Sequence, residues 1–274
     1  DVGPHNTAFA AAEERTKART PAVGDSWTPL EGSLPDVYIA MGQTAENVAE
    51  YEKVSREEMD TFAVLSQTRA VENQENGFFD REIIPVTLAD GTVVSKDDGP
   101  RAGTTLEGLA KLKPVFREGG TVTAGNACPL NDGAAAVIVM SDTKAKALGI
   151  TPLARIVASG VTGLNPEIMG LGPVDACRQV LARANMTIDD IDLVEINEAF
   201  AAQVIPSAKH LGISWDKLNV KGGAIALGHP FGQTGARIMT TLLNALEDTG
   251  KTFGLESMCV GGGQGMAMIV ERLS

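Results

Sequence analysis

Met59, Phe62, Ala63, Ser66 and Ala70 recur at i, i+3 and i+4 spacing, which predicts a helix with one buried face. The run Ser55-Arg56-Glu57-Glu58 supplies its start as a capping box, and Gly77 supplies its stop. A shorter helix is expected from Thr44 to Glu50. Glu82 to Leu88 and Thr92 to Ser95 flank Asp90-Gly91, a two-residue hairpin signal. A Gly/Pro-rich stretch runs from Asp97 to Thr105, and Ala134 to Met140 is an apolar run suited to a buried strand or to the helix feeding one. Ahead of all this, Pro4, Pro21, Pro29 and Pro35 punctuate residues 1–40, where only Thr7 to Arg19 has helical composition.

After Gly149 the pattern changes to alternating strands and helices. Strands are expected at Ala154 to Ala158 and Leu193 to Ile196, and helices at Val174 to Ala184, Glu198 to Leu211 and Ala236 to Leu246. Two apolar runs, Phe253 to Val260 and Met266 to Val270, close the chain as a pair of strands joined through Gly261 to Gly265. This is an α/β layout with helices packed on a sheet.

Composition narrows the function classes. The 274 residues carry a net charge of −12, which argues against a general nucleic-acid binder because phosphate backbones select basic faces. No apolar run approaches the roughly 20 residues of a membrane span, and the first residues have no signal-peptide pattern. Three separated cysteines, Cys128, Cys177 and Cys259, fit free thiols in a reducing compartment, so a cytoplasmic protein is expected. Three histidines and no CxxC make a metal site unexpected.

Three loops, each at a strand end or a strand-to-helix junction, hold the candidate chemistry: Asn197-Glu198-Ala199-Phe200, the run from Gly222 to Pro230 that includes His229, and Cys259-Val260-Gly261-Gly262-Gly263. Ligands in open α/β sheets gather at the carboxyl ends of strands, so the three loops can converge. Taken singly, Asn197 reads as a helix cap, His229 as a turn residue and Cys259 as an inert core thiol. Their coincidence in one domain outweighs those readings. A nucleotide-loop reading fails: Gly228, Gly232 and Gly235 do not make G-x-G-x-x-G, and Ala245 stands where a Walker loop before Gly250-Lys251-Thr252 needs its first glycine.

The runs NEAF, GGAIALGHPFGQTGAR and CVGGGQGMA, in this order, resemble the C-terminal signature blocks of the thiolase family. MGQTAENVA from Met41, RAGTTLEGLAKLKPVF from Arg101 and TVTAGNA…NDGAAA from Thr121 extend the similarity from about Met41 to the C-terminus. The resemblance implies a thiolase fold of layered α/β halves with an inserted loop domain, here without most of the N-terminal half. Residues 1–128 would be the loop domain, 129–149 the closing element of the N-terminal half and 150–274 the C-terminal domain.

It also implies acyl transfer to or from coenzyme A, by thiolysis of 3-ketoacyl-CoA or the reverse Claisen condensation, with coenzyme A as cosubstrate and no other cofactor. His229 would activate the nucleophilic cysteine, and Cys259 would move the proton at the α-carbon. Asn197 would hold an oxyanion-hole water, and the Gly261 amide would line a second oxyanion hole. Arg101 matches an arginine near the nucleotide end of coenzyme A. Met41, Phe116, Ala124, Ala127, Ala199 and Phe200 match positions lining the pantetheine tunnel or acyl pocket.

Two departures concern those contacts. Cys128 stands where many relatives have a pantetheine-contacting serine, with Pro129 after it where glycine is common. Ala40 precedes Met41 where some short-chain relatives have histidine. The expected partners are acyl-CoA, coenzyme A, further copies in a homodimer or homotetramer, and a segment bearing the family's nucleophilic cysteine, which no block before Met41 resembles. The alternatives are a sterol-carrier-type thiolase and a non-catalytic coenzyme A-binding or assembly subunit.

Overall fold

A computed structural model describes residues 36–274. The helical composition from Thr7 to Arg19 and the prolines from Pro4 to Pro35 lie outside the described residues.

The C-terminal part is a four-stranded sheet in the order β3-β6-β5-β4, formed by β3 (Ala154–Gly163), β4 (Leu193–Ile196), β5 (Phe253–Val260) and β6 (Gln264–Arg272). The β4–β5 pair is parallel, whereas β6 runs antiparallel to both β3 and β5. Leu255, Ala267 and Ile269 face a core shared with the helices Gly172–Ala184 and Ala201–Leu211. Leu193 and Val270 face the helix Thr234–Asp248 through Met239, Leu242 and Leu246. Both sheet faces are therefore covered, as the strand–helix alternation requires.

Helices in chain order are α1 (Met41–Tyr51), α2 (Arg56–Glu75), α3 (Leu106–Ala110), α4 (Asp142–Leu148), α5 (Gly172–Ala184), α6 (Ala201–Leu211), α7 (Ala224–Leu227) and α8 (Thr234–Asp248). The α2 helix opens on the expected box: the Ser55 side chain accepts from the Glu58 amide, and Glu58 reaches back to the Ser55 amide. Its stop is a left-handed Gly77 (φ 82°). The Asp90-Gly91 turn joins β1 (Val86–Thr87) to β2 (Val93–Val94), a hairpin shorter than expected, because its residues are exposed and have no layer to pack on.

Two expectations fail. The apolar run Ala134 to Met140 is neither buried nor regular; Ile138 is 86% and Val139 71% exposed, since it has no hydrogen-bonded strand neighbour among the described residues. The helix expected from Glu198 begins only at Ala201. Extended Phe200 forms a bridge with Ala127, and the Cys128 amide donates to the Ala199 carbonyl at 3.0 Å, so tertiary pairing overrides the helical composition.

Candidate active site

The site is built at the carboxyl ends of β4 and β5. Asn197 follows β4 directly, and its amide donates to the Ser257 carbonyl at 2.9 Å, which ties this loop to β5 two residues before Cys259. The Asn197 side chain does not cap α6, whose N-cap is Phe200 without a side-chain bond. Instead both of its polar atoms are buried, with no hydrogen-bond partner among the described residues. A buried primary amide left unpaired on both atoms has its full donor and acceptor capacity available to a small polar group.

Cys259 is 8% exposed and packs with Met169 and Ala199, against which Met41 and Phe200 also lie. Burial pushes its thiol up to about 12, and nearby Cys128 adds to the shift. Cys128 is itself pushed up to about 11, by burial and then by the Glu198 carboxylate. Cys259 is thus held as a protonated thiol in an apolar shell, suited to giving a proton to a strong carbon base and taking it back.

His229 follows Gly228, whose φ of 90° suits only glycine and whose absent side chain makes room for Asn131. Asn131 Oδ1 accepts from the His229 amide at 3.1 Å. The ring's Nδ1 lies 2.6 Å from Thr234 Oγ1, and that hydroxyl donates to the Pro230 carbonyl at 2.9 Å. A hydroxyl has one proton, so Nδ1–H must donate to Oγ1, and this leaves the Nε2 lone pair to accept a proton. Burial lowers the His229 pKa to about 4, helped by the positive charge of Arg237, so the ring is neutral at physiological pH.

The remaining expected positions fall into two groups. Around Cys259 gather Met41, Ala199 and Phe200; Phe116 stacks edge-on with Phe200 at 5.8 Å, and Ala127 bridges to Phe200. Met41 Sδ also approaches Gly261, to within 3.9 Å of where a side chain there would start. Arg101 and Ala124 are exposed and belong to no such cluster. Arg101 lines a shallow pocket with Thr68, Val71, Glu72, Gly103 and Thr104.

Sequence reading alone did not single out Thr234, Met169, Glu198 or Arg237. Thr234 lies inside the GGAIALGHPFGQTGAR run with no role marked by its residue type, and Met169 lies in none of the signature runs. Glu198 lies inside the NEAF run, but nothing in a sequence marks a glutamate as buried. The Arg237 guanidinium is buried without a hydrogen-bond partner among the described residues, and its charge acts on Glu82, Glu195, Glu198 and Glu256.

That charge cluster has a consequence for stability. Burial pushes Glu195 up to about 8, against the opposing charge of Arg237, and Glu256, its register partner in β5, also to about 8. Between about 4.5 and 8 the folded chain therefore binds protons that the unfolded chain has released, so stability falls as pH rises through this window. His229 acts oppositely, but only between about 4 and 6.5, where unfolding takes up its proton. The urea midpoint is expected to drop between pH 6.5 and 8.5, and Glu195→Gln to flatten that drop. An equal drop in the variant would remove Glu195 as its cause.

Residues 150–272 match the family described as "Thiolase, C-terminal domain", and residues 9–143 match "Thiolase, N-terminal domain". The chain belongs to the thiolase family. The N-terminal match begins well before Met41, where the resemblance of the motifs starts. Among curated relatives, a probable acetyl-CoA acyltransferase of Staphylococcus aureus is 51% identical over 87% of this chain and 62% of its own length. An acetyl-CoA acetyltransferase of Chromobacterium violaceum is 50% identical over 89% of this chain and 64% of its own. The chain thus spans somewhat under two thirds of these relatives. The crystal structure of the Bacillus anthracis acetyl-CoA acetyltransferase superposes with a TM-score of 0.84 at 49% identity, covering 86% of this chain and 60% of that one. The fold is a thiolase fold.

Proposed function

We propose that this chain supplies the base, α-carbon acid and oxyanion side of a thiolase active site, for cleavage of a 3-ketoacyl-CoA or its reverse, the condensation of two acyl-CoA molecules. The single observation that carries the reading is the fixed tautomer of His229, whose Nε2 is left as a neutral proton acceptor on the loop beside the NEAF turn.

In cleavage, His229 Nε2 takes the proton of the family's nucleophilic thiol, which attacks the 3-keto carbonyl. The C2–C3 bond breaks, its electron pair goes to the α-carbon, and Cys259 delivers a proton there. Asn197 holds a water at the thioester oxygen and the Gly261 amide serves the second oxyanion. Coenzyme A enters as cosubstrate, and residues 1–128 act as its loop domain, 129–149 as a closing element and 150–274 as the catalytic C-terminal domain. Cysteines kept as thiols support a cytoplasmic setting; among the described residues, no helix is long and apolar enough to cross a membrane.

Coenzyme A binding tests the reading without turnover. Isothermal titration of the 274-residue chain is expected to give saturable binding that Arg101→Ala weakens about tenfold, the loss of one charged contact to phosphate. Binding no tighter than that of free adenosine counts against the assignment.

A further inference from the structure

Of the chemistry-bearing residues that the mechanism does not use, one joins two of the three site loops, the turn after β4 and the run from Gly222 to Pro230. The Glu198 carboxylate is buried, 1% exposed, and lies between three separate elements. Its Oε2 accepts from Ser66 Oγ of α2 at 2.5 Å and from the Ile225 amide of α7 at 3.2 Å. Its Oε1 accepts from Asn219 Nδ2 at 2.8 Å. Asn219 in turn holds β4, accepting from the Ile196 amide and donating to the Ile196 carbonyl, each at 2.9 Å. Ser66 Oγ also accepts from the Gly223 amide at 3.2 Å. A side chain at Gly223 would begin 2.2 Å from the Glu198 carboxyl carbon, so glycine there is what lets the two approach.

We propose that Glu198 is a positioning residue, a buried clamp that fixes the segment from Gly222 to His229 against the turn bearing Asn197. The proposal rests on His229 and Asn197 acting as assigned above. A carboxylate without water is costly to bury unless donors surround it, and three donors from three separate segments, Ser66, Asn219 and Ile225, meet that need here only in one arrangement. Apolar packing at this place would tolerate sliding; a hydrogen-bonded acid does not. The charged and titratable groups that face it are Arg237 of α8, Arg69 of α2, Glu195 of β4 and the thiol of Cys128. The clamp runs from α2 through Glu198 to α7, one residue before Gly228 and His229, and the backbone of Ala199 continues it to Cys128.

The test compares amide hydrogen exchange and diethyl pyrocarbonate modification of His229, both read by peptide mass spectrometry on the 274-residue chain. Glu198→Gln is expected to speed exchange in peptides covering 222–229 at least tenfold, to leave α5 within twofold, and to change the His229 modification rate at least threefold. Ser66→Ala, a milder change that removes one donor to Glu198 and the acceptor of Gly223, is expected to speed the same peptides about threefold. It decides the matter if Glu198→Gln does not fold. Exchange in 222–229 that stays within twofold in the variants, or that rises equally in α5, overturns the proposal. Neither readout needs turnover, so failure of the coenzyme A-dependent reading would appear in the coenzyme A titration while these rates still report on the clamp.

Discussion

Purified residues 1–274 are expected to cleave acetoacetyl-CoA at least ~10³-fold more slowly than the same chain completed with a thiolase segment that carries the nucleophilic cysteine. The reason lies in the three thiols. Cys177 is fully buried in α5, with its pKa pushed up to about 12, and no substrate can reach it. Cys259 stands at about 12 and Cys128 at about 11, both because burial disfavours the thiolate. At pH 8 such thiols are ionised to about one part in a thousand or less, whereas an attacking cysteine needs its thiolate stabilised. The completing segment can be taken from the part of a full-length relative that lies outside the matched span, added separately or fused. The assay follows loss of the 3-ketoacyl thioester with coenzyme A present. Robust turnover by the isolated chain would mean that Cys128 or Cys177 is the nucleophile, and mapping the acylated peptide would say which.

The same experiment has a physical companion. Leu130 at 97%, Ile138 at 86% and Val139 at 71% exposure put a run of large apolar side chains in water. Such a surface associates, so the isolated chain is expected to self-associate at concentrations where the completed protein does not.

What the sequence revealed and what it hid divide along one line. Elements set by local rules were legible. The capping box at Ser55, the left-handed glycine after α2 and the Asp90-Gly91 turn all depend on neighbours within a few positions. Elements set by distant partners were not. The run from Glu198 to Phe200 has helical composition, yet its backbone pairs with Ala127 and Cys128, some seventy positions earlier. Ala134 to Met140 has the composition of a buried strand, but burial needs a neighbour that local sequence cannot supply.

For the site, the long motifs named Asn197, His229 and Cys259 because each lies in a run that resembles a signature block of the thiolase family. They did not name Thr234, which sets the His229 tautomer, or Glu198, whose role depends on being buried among donors from three elements. An acid on a sequence is most often a solvated one, and only packing turns it into a clamp.

The sharpest division of labour in the site concerns Cys259. In the completed enzyme, Cys259→Ala is expected to slow condensation of two acetyl-CoA molecules by about 10²–10⁴-fold, the usual worth of a positioned acid or base, and acyl loading by less than about tenfold. Loading is attack at a thioester carbonyl, which asks for a nucleophile, His229 Nε2 and an oxyanion hole, none of which the substitution removes. Condensation needs a proton taken from a methyl carbon, a far weaker acid than any thiol in water. A base for that proton gains from being desolvated, and Cys259 sits at the end of β5 among Met169, Ala199, Met41 and Phe200, 8% exposed and with its thiol pushed up to about 12. Once the thiol has passed its proton to the coenzyme A thiolate released on loading, the thiolate left there is a stronger base than an exposed one, and the protonated form is the one that can finish the reverse reaction. Alanine keeps most of the apolar packing and removes the proton carrier, so the two half-reactions should separate. Intact-mass measurement of the acylated protein reads the first step, and formation of acetoacetyl-CoA reads the second. If loading were lost as completely as condensation, Cys259 would be acting at the carbonyl, and the assignment of the α-carbon proton to it would be wrong.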